Sequence, residues 1–278
     1  MEKLLTKQVY ESIKERTDPK NITQIRLRVN SPLIINLFDE EIFCDNIIID
    51  EETIRETFNK ITGYSAYAFE ENIRCGYLTA PGGHRVGFGG EAVMENGNIS
   101  TIKNIRFINI RISHSIKGCG KKIVSSIMEK DDIRNTLIIS PPGKGKTTLL
   151  RDLVNLFSNN IYGTSICVID ERNEISGSYM GVPTMELGPR TDVISNCSKE
   201  EGIKMAVRSM APRIIAVDEI GGDKDMEALL YASLCGVKII ATIHGQGIED
   251  AEEKLGQAYN KIFEKKVLIK DKGEYICY

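Results

Sequence analysis

Residues 136–150 read Thr-Leu-Ile-Ile-Ser-Pro-Pro-Gly-Lys-Gly-Lys-Thr-Thr-Leu-Leu: an apolar strand, a loop of Pro, Gly and Lys, and the start of an apolar helix. A strand that turns directly into a helix belongs to an α/β architecture, and glycines in the turn let main-chain N–H groups converge on an anion with no Cβ in the way. Gly143 and Gly145 supply that freedom here. Lys146 is placed to reach the β- and γ-phosphates of a nucleotide and the Thr147 hydroxyl to ligate Mg²⁺, with Pro142, Lys144 and Thr148 completing the candidate cradle. Ser140 stands where the phosphate-loop pattern has its first glycine, a position remote from the Gly-Lys-Thr core. The competing reading, an ordinary Gly/Pro turn before a helix, does not account for the strand–loop–helix context.

The chain beyond this loop keeps the same rhythm. Stretches 164–170, 213–217 and 237–242 are short and mostly apolar, separated by longer segments with helical patterns. Continuous apolar strands alternating with helices predict a parallel sheet covered on both faces. Ser198 followed by Glu201 predicts a capped helix start. Asp218 and Glu219 directly follow the strand ending at Val217, which would deliver two carboxylates to one sheet edge: Asp218 for the metal shell and Glu219 to polarise the attacking water. One strand, 164–170, is read between Lys146 and this pair, the chain order of ATPases that insert an additional strand and use a second carboxylate. The strand at 237–242 is then expected between the phosphate-loop strand and the Asp218 strand. That places Thr242 and His244 where a polar tip senses the γ-phosphate or positions water, although a histidine there also serves as a satisfied structural residue. After the strand at 164–170, Asp170, Glu171 and Glu174 read equally as support for the metal or water and as a solvated charged turn; Arg190 in the 188–192 loop is a further candidate for phosphate.

Upstream of residue 115 the periodicities predict a mixed α+β domain: a helix over 4–16, strands at 25–29 and 33–37, a helix near 51–62, a hairpin over 76–88 and a strand at 105–112. Glycines and lysines without periodicity suggest a linker at 116–122, dividing the chain into 1–115 and 123–278. The net charge is −3 and neither part carries a basic excess, which argues against bulk binding of nucleic acid. Cysteines at 44, 75, 119, 167, 197, 235 and 277 form no CxxC pair and fit a reducing compartment. The N-terminus turns polar too early for a secretory leader, and no apolar run reaches the ~18 residues of a membrane span.

The strings IRLRV with a following SPL, GYLTAPGGHRVGFGGEAV, NIRIS, SPPGKGKTTLLRD, IDERNEISG, GPRTDV, VDEIGG and TIHG run in this order over about residues 24–245. Together they resemble the RecA-like secretion ATPases of type II and type IV systems, most closely those of endospore-forming bacteria. The resemblance implies an additional-strand P-loop ATPase domain of RecA type with a smaller α+β N-terminal domain, ATP and Mg²⁺ as ligands, and a homo-oligomeric ring, expected to be a hexamer. It further implies a motor in the mother-cell cytoplasm, held at the membrane by embedded channel components and serving a channel to the forespore. In that family a carboxylate-rich box follows the second motor strand, and here Asp170-Glu171 through Glu174 resemble it with the usual Glu-Asp order reversed. His244 resembles the family's histidine box. Arg85 and Arg111 resemble N-terminal-domain arginines that approach the nucleotide. Glu171 and Arg111 are therefore expected catalytic residues beside Lys146, Glu219 and His244. A nucleic-acid-binding ATPase is the rival, weakened because the Arg-x-x-x-His string of its small single-strand-binding module is absent: Ala80, Ile110 and Ile240 precede His84, His114 and His244 by four.

Overall fold

A computed structural model describes residues 1–65, 73–74, 76–114, 116–130, 132–159, 163–256 and 259–278; Cys75 and Ser115 lie outside them. The chain forms two compact units, Met1–His114 and Ser115–Tyr278.

The first unit is a six-stranded antiparallel sheet in the order β3-β2-β1-β6-β5-β4. Its strands are β1 (Gln24–Arg28), β2 (Ser31–Asn36), β3 (Glu41–Ile49), β4 (Tyr77–Ala80), β5 (His84–Glu95) and β6 (Asn98–Arg111). Strict alternation explains its one-sided burial: Ile25, Leu27, Val86, Phe88, Ile108 and Ile110 face a core that also takes Val9 and Ile13 of α1 (Lys7–Arg16) and Ile54 and Ile61 of α2 (Glu51–Ile61). Each helix has its start fixed by a side chain, Thr6 accepting from the Val9 N–H and Asp50 from the Thr53 N–H.

In the second unit, Val124–Ile127 (α3) and the short pair β7 (Met128–Glu129) and β8 (Asp132–Ile133) precede a seven-stranded sheet in the order β11-β10-β12-β13-β9-β14-β15. These strands are β9 (Thr136–Ser140), β10 (Ile166–Asp170), β11 (Thr191–Ser195), β12 (Ile214–Val217), β13 (Lys238–His244), β14 (Lys265–Asp271) and β15 (Glu274–Cys277). All pairings are parallel except β14 with β15. Strands β9, β10 and β12 are buried along their whole length, because helices cover both faces. Helix α4 (Lys146–Ser158) packs Leu149, Leu150, Leu153, Val154 and Phe157 on one face; α5 (Lys199–Ser209) and α6 (Asp223–Leu234) pack Ile203, Ala206, Met226 and Leu229 on the other. Strand β13 lies between β9 and β12, as the additional-strand order requires.

Two expectations are corrected. Two strands, not one, intervene between Lys146 and Asp218, since 191–195 pairs with β10 as an edge strand. Residues 116–122 are no free linker: Asp152 of α4 accepts from the Gly118 N–H at 2.8 Å and the Gly120 N–H at 2.7 Å, and Cys119–Lys122 forms a 3-10 turn of the second unit.

Candidate functional site

The C-terminal ends of parallel strands are where ligands of open α/β sheets bind, and here β9, β12 and β13 bring their polar tips together. After β9 the chain turns through Gly143 at φ +77° and Gly145 at φ +97°, a region L side chains avoid. Helix α4 begins at Lys146 with no side-chain cap. Its first-turn N–H groups therefore have no partner within the helix and face the loop, where the helix dipole is positive. Pro142 and Gly143 are exposed, Lys146 is buried, and Thr147 and Thr148 are half-buried. Lys144 points elsewhere, donating to Asp271 Oδ1 at 3.0 Å.

Six side chains meet at the mouth of this loop, those of Lys146, Thr147, Asp218, Glu219, Thr242 and His244. Thr147 donates its hydroxyl proton to Asp218 Oδ2 at 2.5 Å. Thr242 donates to Asp218 Oδ1, and its oxygen accepts the Glu219 N–H at 3.0 Å. Lys146 Nζ donates to His244 Nδ1 at 2.8 Å, and with the ring proton on Nε2 the histidine donates to Glu219 Oε1 at 2.7 Å. Glu219 itself is in the left-handed region at φ +52°, an uncommon conformation for a residue with a Cβ and one concentrated at functional sites.

Electrostatics follow from burial. Burial drives the Lys146 pKa down from its ordinary value, opposed by the carboxylates of Asp218, Glu219 and Glu174. Burial pushes the Asp218 carboxyl up, opposed by the Thr147 and Thr242 hydroxyls and by Lys146, while neighbouring Glu219 adds to the rise. A positive charge or a metal ion arriving at Asp218 would favour its ionised form.

The carboxylate-rich turn after β10 divides its labour. Asp170 is buried and fully used as a staple: Oδ1 accepts the N–H groups of Glu174 and Ile175 at 2.9 and 3.3 Å, and Oδ2 accepts the N–H and hydroxyl of Ser176 at 2.7 and 2.6 Å. Its expected part in supporting a metal or water is thereby corrected, because its lone pairs are committed to the loop. Glu171 pairs with Lys199 at 2.5 Å and lines a small pocket with Asp218 and Glu219. Arg190 is also corrected. It binds Ser158, its N–H donating to Oγ at 2.8 Å and Nη1 to the carbonyl at 3.1 Å, at the end of α4 opposite the loop and some ~18 Å along the helix.

Three residues of this neighbourhood were not singled out from sequence. Arg172 donates to Glu219 Oε2 at 3.1 Å. Arg151, buried in α4, donates through Nε to the Ile175 carbonyl at 2.7 Å and through Nη2 to the Glu174 carbonyl at 2.6 Å, tying the carboxylate turn to the helix that starts at Lys146. Asp152, beside it, holds the entering chain. The Arg151-Asp152 pair inside an otherwise apolar helix is the signal that would have found two of the three, since buried charges persist where they are paired and hydrogen-bonded.

Arg85 and Arg111 belong to the first unit. They stand directly opposite each other on β5 and β6, with Arg85 stacked 4.2 Å over the Tyr77 ring. The same open face carries Arg26, Arg28 and an exposed Phe107, because Arg26 is opposite Asn109 and Arg28 opposite Phe107.

A family model described as sporulation stage III, protein AA matches residues 1–275. The chain belongs to this family. It is 38% identical over 232 residues to the stage III sporulation protein AA of Bacillus subtilis, covering 82% of this chain and 75% of that protein. It is also 33% identical over 157 residues to the uncharacterized protein ycf45 of Cyanidium caldarium, covering 54% of this chain and 45% of that one. Among solved structures, the pilus retraction motor PilT with bound ADP is similar at a TM-score of 0.64 and 16% identity over 94% of this chain and 76% of that chain. The Legionella pneumophila ATPase DotB is similar at a TM-score of 0.59 and 16% identity over 94% and 75%. The fold of this family member is thus that of the RecA-like secretion ATPases.

Proposed function

We propose that this protein is a Mg²⁺-dependent ATPase that works as a homo-oligomeric ring, a hexamer, driving a secretion-like channel of sporulation. The observation that carries the reading is the meeting of Lys146, Thr147, Asp218, Glu219 and His244 at one sheet edge, next to a loop of main-chain N–H groups. The residues fit the ligands. A cradle with two positive-φ glycines at a helix N-terminus suits a polyphosphate. Among the described residues no group of three or more His, Cys, Asp or Glu could hold a metal by itself, whereas Thr147 and Asp218 offer two hard oxygens to a cation that phosphates would help to hold. Bound Mg²⁺ would neutralise charge developing on the β- and γ-phosphate oxygens.

The chain's own groups have distinct tasks. Lys146 exchanges the imidazole of His244 for phosphate oxygens. The loop N–H groups hold the phosphates in place, and Glu219 orients the attacking water. His244, in contact with both Lys146 and Glu219, links arrival of the phosphates to the carboxylate that acts on water. Hydrolysis would alter subunit contacts and become movement of one subunit against the next. Sporulation enters through the family and the Bacillus subtilis relative; the mother-cell cytoplasm and membrane-embedded channel partners are part of this proposal, and among the described residues no helix is long and apolar enough to cross a membrane.

The test compares two variants. Lys146→Ala should lose nucleotide binding and turnover together, whereas Glu219→Gln should keep ATP and lose turnover by about a hundredfold or more. Hydrolysis by Glu219→Gln at the parent rate would remove the role given to that carboxylate. Trapped with ATP in extracts of sporulating cells, Glu219→Gln should retain integral membrane proteins that Lys146→Ala does not. A second reading, a nucleic-acid-binding ATPase, has one observation in its favour: the open sheet face with Arg26, Arg28, Arg85, Arg111 and Phe107.

A further inference from the structure

We propose that Thr242 is a positioning residue of the hydrolytic site, its single hydroxyl setting Asp218 and Glu219 relative to each other; the proposal rests on the ATPase reading above. Thr242 is buried, two residues before the end of β13, with His244 on the same side of the strand. Its hydroxyl is committed in both directions, donating its proton to Asp218 Oδ1 and accepting the Glu219 N–H at 3.0 Å. The Thr242 carbonyl accepts the next N–H, that of Ile220, at 2.8 Å. Two consecutive N–H groups of the turn after β12 are therefore indexed on one residue of the neighbouring strand.

This matters because Glu219 is held at φ +52°. A non-glycine residue persists there only when its surroundings over-determine it. The grip on its N–H fixes the backbone, and His244 two residues along the same strand fixes its carboxylate at 2.7 Å. Strand β13 thus grasps Glu219 at both ends. Asp218 gains as well: with Oδ1 occupied by Thr242, the oxygen turned toward Thr147 is Oδ2, the pairing that Mg²⁺ would use. A valine at 242 keeps the shape and the strand preference but loses both hydrogen bonds, leaving the Glu219 N–H without its acceptor.

Steady-state ATPase kinetics at saturating Mg²⁺ test this with Thr242→Val and Thr242→Ser, and with Thr242→Ala should the valine variant fail to fold by circular dichroism. We expect kcat to fall at least about tenfold in Thr242→Val, with KM for ATP within about threefold of the parent, and Thr242→Ser to recover kcat to within about threefold. A hydroxyl that only satisfied the core would lower stability without dividing kcat from KM. Parent turnover in Thr242→Val, or turnover in Thr242→Ser as low as in Thr242→Val, overturns the proposal. Hydrolysis by Lys146→Ala at the parent rate, measured alongside, overturns instead the reading of the site on which it rests.

Discussion

At the scale of single residues, one histidine joins two groups of the candidate site and another is buried in the first unit. His244 touches Lys146 and Glu219 and was legible from its place at the tip of the strand next to the phosphate loop. Asp170 was not legible in the same way, since a carboxylate after a strand looks identical whether it faces solvent or, as here, staples its own turn; only the path of residues 174–176 decides. His84 drew no role from sequence, yet it is buried at the start of β5, where Nδ1 accepts the Ser113 N–H at 3.1 Å. Burial, with smaller contributions from the N-terminal amine and His114, lowers its pKa from 6.5 to about 4. The folded chain therefore keeps His84 neutral where the unfolded chain protonates it. Its contribution is fully present above pH 6.5, falls as pH drops from 6.5 to about 4, and levels off below. The loss over that window is on the order of 3 kcal/mol. His84→Gln keeps an acceptor but no titration, so its unfolding midpoint should vary less between pH 7 and ~4.5 than the parent's. Equal pH slopes in the two proteins would show that His84 is not the group responsible.

At the scale of elements, legibility followed burial. Strands β9, β10, β12 and β13 are mostly apolar between their ends because helices cover both faces, and their positions could be read directly. Strand β11, Thr-Asp-Val-Ile-Ser, is an edge with polar ends and half-exposed side chains; only pairing with β10 makes it a strand, so its residues looked like a loop offering Arg190. Strand β3 was missed for a related reason, its pairing to β2 slipping at Pro32/Leu33 so that no clean alternation survives. The first unit's sheet shows what alternation conceals as well as what it reveals. Overall charge is negative, but β1, β5 and β6 gather four arginines on one face, with Arg85 directly opposite Arg111. Like charges facing each other across strands are unfavourable. Single-stranded DNA or RNA should nonetheless leave the ATPase rate unchanged at ~0.15 M salt, where weak electrostatic binding is largely screened. Stimulation at that salt, lost in an Arg26→Ala/Arg28→Ala variant, would promote the second reading to the first.

At the scale of the whole molecule, the proposed site is built in the second unit, while the arginines that resemble the family's nucleotide-approaching ones stand in the first. In the proposed reading Lys146 serves the phosphates and an arginine from another copy adds charge stabilisation, which is the reason a ring is proposed. In a closed ring every subunit offers the same surface to the next, so an arginine acting across an interface would complete each site with a residue from another copy. Arg85→Ala or Arg111→Ala should then lower turnover in a chain that remains folded. An exposed arginine that only pairs with a surface carboxylate contributes ~0–1 kcal/mol to stability and nothing to catalysis, which predicts parent rates instead. Two further measurements separate action in trans from action within one chain. Specific activity of the parent should rise with protein concentration as rings assemble. Mixing equal amounts of Arg111→Ala and Lys146→Ala should restore about a quarter of the parent's sites if subunits exchange at random, because a site needs an intact lysine from one copy and an intact arginine from its neighbour. Activity independent of concentration, with no recovery on mixing, would place the whole site in one chain and remove the ring from the mechanism.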